Sequence, residues 1–292
     1  MSAPPALSSR LAPLLLMAPS LLLLGACFVA PAVILVIYSL YTAEPGGTML
    51  PVLTLQNYTR FLFEGLYYRV VWSSLKVSLT VTLWCLVLGF PLAYSLARMR
   101  GRRRRGLVVM LLLFPLMTSV VVRSYGWLIL LGDAGLLNTV LVGLGLVHSP
   151  VRLLYTNTGT VMALVEVLLP YMVLSLLAVI QSIHYSLEEA AASLGAGTAR
   201  VFLDVVLPLA MPGVAAGSVL VFILAIGAFV TPALIGGAKI LVVPMLVYQQ
   251  AITVLNWPFA AAISFIFLAF VLLLIWLQVH LLEWHHRWRG AP

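Results

Sequence analysis

Charged side chains are scarce in this chain. Only 8% of its 292 residues are Asp, Glu, Lys or Arg, whereas 63% are hydrophobic. An ordinary soluble domain is about a quarter charged and about half apolar. So few charges cannot cover a water-soluble globule of this size, which excludes a soluble globular protein. The net charge of +8 comes from basic residues between long apolar runs, so it indicates membrane topology and not a nucleic-acid surface.

Cysteines and catalytic motifs are also sparse. Cys27 and Cys85 both lie in apolar stretches, where a free thiol behaves as a small hydrophobe, so no disulfide framework or metal site follows from them. The stretch from Gly101 to Gly106 has glycine spacing but lacks the Lys and Ser or Thr of a phosphate-binding loop. No serine-nucleophile or His-Glu zinc motif is present either. These absences predict that the chain is not an enzyme and binds no cofactor or metal.

Six long apolar runs are present. Because a helix rises about 1.5 Å per residue, crossing the hydrocarbon takes roughly 20 mostly apolar residues. The runs cover approximately residues 11–41, 70–97, 107–131, 160–180, 213–235 and 259–282. They predict an all-α integral membrane protein with about six transmembrane helices, an N-terminal helix followed by a core of five, in one domain over residues 1–292.

Basic residues are unevenly distributed between the loops that would face opposite sides of the membrane. Lys and Arg are retained in the cytoplasm more readily than they are translocated. With the N-terminus inside, that side carries ten basic residues and the other side six, and most of the excess is the cluster between spans two and three. This pattern predicts that both termini are cytoplasmic.

The first apolar run contains Leu24-Gly25-Ala26-Cys27, which resembles the cleavage box of a bacterial lipoprotein signal peptide. Cleavage there would remove the first span. The apolar run continues past Cys27 to Tyr38, which is too long for a signal-peptide core and leaves no polar mature start. The pattern therefore favours a retained transmembrane helix.

The loop of residues 184–208, between spans four and five, has the local chemistry of two short helices. Ser186 and Glu189 form a capping-box pattern, three alanines follow, and Gly195 is typical of a helix C-terminus. Thr198 is a suitable cap for the second helix. A helix with alanine on its surface lets a partner approach closely. The loop either transmits force to such a partner or rests on the membrane as an ordinary amphipathic connector.

Eight positions in this loop carry a specific pattern: Glu189-Ala190-Ala191, then, after three residues, Gly195, then, after nine residues, Val205-Val206-Leu207-Pro208. The pattern resembles the signature loop of permeases of binding-protein-dependent ATP-binding-cassette importers, and only Val205 departs, where the family prefers isoleucine. The resemblance implies the type I importer fold and a coupling helix that sits in a groove of a cytoplasmic ATPase. It also implies which residues make or shape that contact: Glu189, Ala190, Ala191, Gly195, Leu207 and Pro208.

The resemblance extends over roughly residues 55–285 and looks closest to the polyamine class, which imports spermidine and putrescine. The sequence segments that show the resemblance are Leu55-Gln-Asn-Tyr58, Arg123-Ser-Tyr-Gly-Trp127, Leu169-Pro170-Tyr171, Gly227-Ala-Phe-Val-Thr-Pro232 and Asn256-Trp-Pro-Phe259. Relatives that import opines, ferric iron or thiamine share parts of the pattern. The family implies a bacterial inner-membrane location and these partners: a second, homologous permease, two cytoplasmic ATPase subunits that bind ATP and Mg²⁺, an external solute-binding protein, and lipid but no nucleic acid.

Several residues are candidates for the solute pathway or its gate. Glu166 lies inside span four, where a charge is costly, so it is either a counter-charge for an ammonium-bearing solute or a carboxylic acid hydrogen-bonded between helices. Arg123 and Tyr125 lie near the outer end of span three. Span five is interrupted by Gly227 and Pro232, with Phe229 between them, and such irregular backbone at membrane depth predicts a moving element that lines the path.

Taken together, the pattern favours a permease that works by alternating access and performs no covalent chemistry. The rival class is a self-sufficient secondary transporter or channel driven by an ion gradient through Glu166 and Arg123. Secondary transporters commonly contain paired repeats with broken helices in corresponding places, and the sequence has no internal repeat.

Overall fold

The computed structural model of the protein describes residues 17–44 and 46–289. Six helical stretches in this part of the chain are long and apolar enough to cross a membrane, which confirms the predicted number. They are α1 (Met17–Ser39), α3 (Gly65–Ala97), the pair α5 and α6 (Val120–Gly143), α7 (Asn157–Ser182), α9 (Thr198–Ile226) and the first part of α11 (Trp257–Gln278). The beginning of the predicted first span, residues 11–16, lies outside the described residues.

Shorter elements connect these helices. They are a hairpin of β1 (Thr42–Ala43) and β2 (Met49–Leu50), with Thr42 opposite Leu50, and the helices α2 (Gln56–Phe63), α4 (Arg102–Leu113), α8 (Ser186–Ser193) and α10 (Val243–Tyr248). Within the pair, α5 is Val120–Leu131 and α6 is Leu136–Gly143, and α11 as a whole extends over Trp257–Arg289. The connection between α1 and α3 therefore contains a hairpin and a helix.

Two predicted spans have wrong boundaries. The third was expected at residues 107–131 as one helix, but the chain forms α4, a 3-10 turn at Phe114–Met117, and then α5. Pro115 lies in that turn, and a proline cannot donate the backbone hydrogen bond that would continue the helix. The fifth was expected at 213–235, but α9 begins earlier, at Thr198, and ends at Ile226.

Two compact units make up the chain. In the first, the described residues up to Glu64 join Val247–Leu268. Here the Asn57 amide donates to the carbonyl oxygens of Ser39 (3.0 Å) and Tyr41 (2.9 Å). The Arg60 guanidinium lies 4.6 Å from the centre of the Phe259 ring. The Asn57 hydrogen bonds fix α2 beside the end of α1, and the Arg60 contact joins α2 to the start of α11.

The second unit contains Gly65–Leu246 and the described residues from Ala269 onward, and its core is formed by α3, α7 and α9. Buried side chains from these helices include Val81, Cys85, Leu164, Met172, Leu176, Val206 and Val221. A Cβ added at Gly217 of α9 would approach the Met172 sulfur to 2.8 Å, so glycine lets α9 and α7 pack closely. The domain boundaries 1–292 stay a prediction.

Candidate functional site

The signature loop presents a short exposed helix. Glu189 and Ala190 on α8 are exposed, Ala191 is half-exposed, and Gly195 just beyond the helix is exposed. Leu194 is the most exposed large apolar side chain of the described residues, at 90%. A small-residue helix face with a protruding leucine at its end is a surface that another protein can bind closely.

Gly195 ends α8 as the sequence predicts. Its φ is +87°, in the left-handed region that favours glycine. The Gly195 amide donates to Ala192 O (3.0 Å) and the Ala196 amide donates to Ala191 O (3.1 Å), which is the hydrogen-bond pattern of a Schellman cap. The backbone therefore turns sharply at the end of the exposed helix.

The predicted caps at the two helix starts are wrong. Tyr185, and not Ser186, precedes the first turn of α8, and no side-chain cap is made there. Thr198 is likewise the first helical residue after Gly197, without a side-chain cap. Ser186 is itself the first residue of the helix, so it does not have the extended conformation of a capping residue. The expected second short helix is the beginning of α9.

Sequence reasoning missed the residue that holds α8 in place. Glu188 is buried, with its side chain 7% exposed, and one carboxylate oxygen is in direct ionic contact with Arg98 Nη2. The other oxygen accepts a hydrogen bond from the Tyr94 hydroxyl at 2.7 Å, and Arg98 Nη1 donates to Ile183 O at 3.2 Å. Through these contacts α8 is tied to the end of α3.

The sequence contains a signal for this anchor, which is the contact of Glu188 with Arg98 and Tyr94. Two adjacent carboxylates on a helix point about 100° apart, so Glu188 and Glu189 have different surroundings. The exposed member belongs to the signature, and the other then needs a cation nearby. Arg98, at the end of α3, is one of several candidates, and only the structure selects it.

The start of α9 packs against the same part of α3. The chain forms a π-helical turn at Val201–Val206, where Val201 and Val206 are buried. The Phe202 ring meets the rings of Phe90 and Tyr94 edge-on, with centroids 5.2 and 6.1 Å apart. Two predicted coupling residues, Leu207 and Pro208, are half-buried beyond this turn, so they do not belong to the exposed face of α8.

Two of the predicted pathway residues come together inside the second unit. Arg123 Nη1 of α5 lies 3.8 Å from Glu166 Oε1 of α7, and the Trp127 indole donates to Glu166 Oε2 at 3.4 Å. Among the described residues, Arg123 Nε and Nη1 have no hydrogen-bond partner. Tyr125 is 55% exposed and does not join this cluster.

Glu166 also faces a cavity of about 1090 Å³. Most of the lining is apolar and comes from α3, α4 and α7, whereas Lys76, Trp84, Trp127 and Glu166 supply its principal polar and aromatic groups. In the part of the chain that the structure describes, no group of three His, Cys, Asp or Glu side chains could hold a metal ion. The apolar lining can accept an alkyl chain, and the charged groups of the lining are the Glu166 carboxylate and the Lys76 ammonium.

The remaining candidates lie in the irregular segment after α9. The helix ends at Gly227, Phe229 is half-buried in the following bend, and Pro232 is buried at the start of a π-helical turn, Pro232–Gly236. The buried hydroxyls of Thr231 and Ser124 are 3.2 Å apart, which joins this segment to α5. The Tyr155 amide donates to Ile235 O at 2.9 Å. The predicted interruption is present, and its part in transport stays a prediction.

The six helices that are long and apolar enough to cross a membrane define an integral membrane protein. Residues 89–284 match the family model "Binding-protein-dependent transport system inner membrane component". The chain belongs to this family.

Individual members of this family are similar to the chain over most of its length. The chain is 38% identical over 256 residues to the spermidine/putrescine transport system permease protein PotB of Escherichia coli K12, covering 87% of this chain and 92% of that protein. It is 40% identical over 212 residues to PotB of Haemophilus influenzae, covering 73% of each. Among solved structures, a bacterial alginate ABC transporter in complex with a pentasaccharide-bound periplasmic protein matches 93% of this chain with a TM-score of 0.77 and 18% identity, so it supports the fold.

Proposed function

We propose that this chain is the transmembrane permease subunit of an ATP-driven, binding-protein-dependent importer for polyamines such as spermidine and putrescine. The observation that carries the proposal is the exposed helix α8, which is tied to α3 by Glu188 and Arg98. Similarity to PotB over 87% of the chain supports the solute class. In this proposal the permease itself carries out no covalent step.

The anchor gives α8 a mechanical role. Two cytoplasmic ATPase subunits bind ATP and Mg²⁺, and one of them grips α8 on the face formed by Glu189, Ala190 and Ala191. Because Glu188 is paired with Arg98 and Tyr94, a displacement of α8 moves the end of α3 with it. The two states of the permease then differ in helix packing, and ATP shifts the population between them.

The remaining partners follow from the same proposal. A second, homologous permease completes the conduit, and a periplasmic or extracellular binding protein delivers the solute. Both termini of the chain are cytoplasmic in the inner membrane, which places α8 on the ATPase side. The excess of basic residues between α3 and α5 supports this orientation.

Glu166 is the proposed contact for the solute. A polyamine combines methylene chains with ammonium groups, and the cavity combines an apolar lining with the Glu166 carboxylate, two tryptophans and one lysine, Lys76. Aromatic faces attract cations. Arg123 competes for the same carboxylate, so we expect Glu166 to contact solute transiently and not to bind it tightly.

Uptake measurements test both the class of transporter and the identity of the solute. The chain is co-expressed with its candidate ATPase, second permease and binding protein in cells that lack polyamine import, and labelled spermidine and putrescine are followed. We expect uptake that stops when ATP is depleted and persists when the ion gradient is collapsed with ATP maintained. Uptake by this chain alone, driven by an ion gradient, would establish the rival secondary transporter or channel.

Competition between solutes identifies the transported solute independently of the class of transporter. Unlabelled spermidine should suppress uptake, whereas thiamine, an opine or ferric iron should leave it unchanged. If the partner binding protein bound one of these other solutes strongly, the polyamine assignment would be wrong, but the assignment as a binding-protein-dependent importer would stand.

A further inference from the structure

Five arginines outside the sites above lie at the beginning of α4. Arg100, Arg102, Arg103 and Arg104 are exposed and Arg105 is half-exposed. Among the residues that the structure describes, none of the five makes an ion pair, a side-chain hydrogen bond or a ring contact. The neighbouring Arg98 differs, because it is paired with Glu188. The five guanidinium groups are therefore free to bind an external anion.

Their position in the helix makes a bound anion favourable. Arg102 to Arg105 fill the first turn of α4, and that turn contains no acidic residue. A helix N-terminus carries a partial positive charge, so cations there are destabilising, and adjacent arginines also repel one another. An anion at this place relieves both unfavourable interactions.

The apolar face of α4 indicates what kind of anion fits. Leu107, Met110 and Leu111 are 67%, 70% and 71% exposed and lie on one face of the helix, and Leu111 also lines the cavity that Glu166 faces. Arg103 and Arg104 precede Leu107 by four and three residues, so they continue this face at its beginning. The distance along the helix axis is only about 6 Å, and helical side chains lean toward the N-terminus.

We propose that Arg103 and Arg104 bind the phosphate of an anionic phospholipid whose acyl chain packs along Leu107, Met110 and Leu111. The three other arginines strengthen the local positive field. A membrane protein exposes such an apolar face to acyl chains, and the guanidinium groups then lie at the depth of the headgroups. The argument requires only that the start of α4 lies at a membrane surface, and it holds for either leaflet.

An acidic surface on a partner protein is the other occupant with matching charge. It would satisfy the arginines but leave the adjoining apolar face of α4 uncovered. A phospholipid matches both parts, because its charged headgroup is joined to an apolar chain. For this reason the geometry favours lipid.

Lipid association with the full-length chain in nanodiscs tests the proposal. The relative affinity for spin-labelled phosphatidylglycerol over spin-labelled phosphatidylcholine is measured. We expect the unaltered protein to prefer phosphatidylglycerol and the preference to fall as salt is added. The variant Arg103→Gln/Arg104→Gln should lower it about thirtyfold, which corresponds to about 1 kcal/mol for each arginine. Arg103→Lys/Arg104→Lys should keep most of it.

A matched control removes the same charge elsewhere. Arg69→Gln/Arg200→Gln changes two exposed arginines and should leave the lipid preference unchanged. The salt dependence is measured on the unaltered protein, so this part of the test does not depend on whether a variant folds. An unchanged preference in Arg103→Gln/Arg104→Gln would overturn the proposal.

Two further results would also overturn it. Displacement of the labelled lipid by inorganic phosphate at equal concentration would show a site for free anions. Loss of a co-purified ATPase from Arg103→Gln/Arg104→Gln, with the lipid preference retained, would show a protein-docking surface.

Discussion

Two ion pairs in the second unit differ in how completely they are enclosed. Glu188 is 7% exposed, and both of its carboxylate oxygens are in contact, with Arg98 and with Tyr94. Glu166 is 34% exposed, and its oxygens lie at the longer distances of 3.8 Å from Arg123 and 3.4 Å from Trp127. An enclosed pair fixes geometry, because removing one partner leaves an uncompensated buried charge. An open pair keeps capacity for a second cation.

The largest expected effect follows from breaking the enclosed pair. Arg98→Ala leaves the Glu188 carboxylate buried without its cation, which costs about 3–5 kcal/mol in comparable cases. We expect faster proteolysis of the loop around α8 and loss of uptake. Limited proteolysis of the membrane-inserted protein and a transport assay measure these two results.

Two comparison variants sharpen that experiment. Arg98→Ala/Glu188→Ala removes both charges and should restore part of the protease resistance, because no unpaired charge remains. Glu189→Ala should leave the loop protected, since its carboxylate is exposed. Equal protease sensitivity of Arg98→Ala and Glu189→Ala would remove the distinction between the anchor and the exposed face.

The next effect concerns the irregular segment after α9. Gly237 has φ +57°, and a Cβ there would lie 2.6 Å from the Tyr155 ring. Gly237→Ala should therefore destabilise this segment by at least the 1–3 kcal/mol that such backbone strain typically costs. Thermal unfolding of the detergent-solubilised protein should show a lower midpoint.

Gly227 provides the matched control for Gly237. It has φ −86°, and the nearest atom to an added Cβ is a carbonyl oxygen at 3.4 Å. Gly227→Ala should leave the midpoint nearly unchanged. If both variants unfold alike, the contact between Gly237 and Tyr155 does not fix the segment.

A smaller effect is expected at the end of α8. Gly195→Ala forces a side chain into the left-handed region at a cost of about 1–2 kcal/mol, although an added Cβ meets nothing within 4 Å. We expect membrane levels to stay normal and uptake to fall, and Gly195→Asp to abolish uptake. Gly197→Ala is the control, because Gly197 has φ −70° and the same open surroundings. Similar uptake in Gly195→Ala and Gly197→Ala would count against a role for the turn.

The smallest effect is expected at the open ion pair of Arg123 and Glu166. Glu166→Gln should raise the KM for spermidine about two- to fivefold, the ratio that a partly solvated charge contact supplies. Arg123→Gln should lower the KM, because it removes the internal cation that competes for Glu166. Initial-rate uptake over a range of spermidine concentrations separates the two variants. A change of KM in the same direction for both would rule out competition.

Residues that act through composition or backbone preference were predictable from the sequence. The six apolar runs gave the number of spans, and the alanines with Gly195 gave the exposed helix. Positions that depend on tertiary contacts were not. Which of Glu188 and Glu189 faces inward depends on where Arg98 and Tyr94 lie at the end of α3. The break at Pro115 was missed because apolar residues lie on both sides of the proline, so the hydrophobic run continues across the change of helix.

Cross-linking from α8 tests the central claim, that a partner ATPase binds the exposed end of this helix, most directly. Leu194→Cys is made with the exposed Cys27 replaced by serine, so that Cys85, which is buried, is the remaining native thiol. In inner membranes that contain the co-expressed ATPase, a short thiol-to-amine cross-linker should join Leu194→Cys to the ATPase. Labelling of Leu194→Cys by a membrane-impermeant reagent in intact spheroplasts, or retained uptake without any ATPase adduct, would contradict the account.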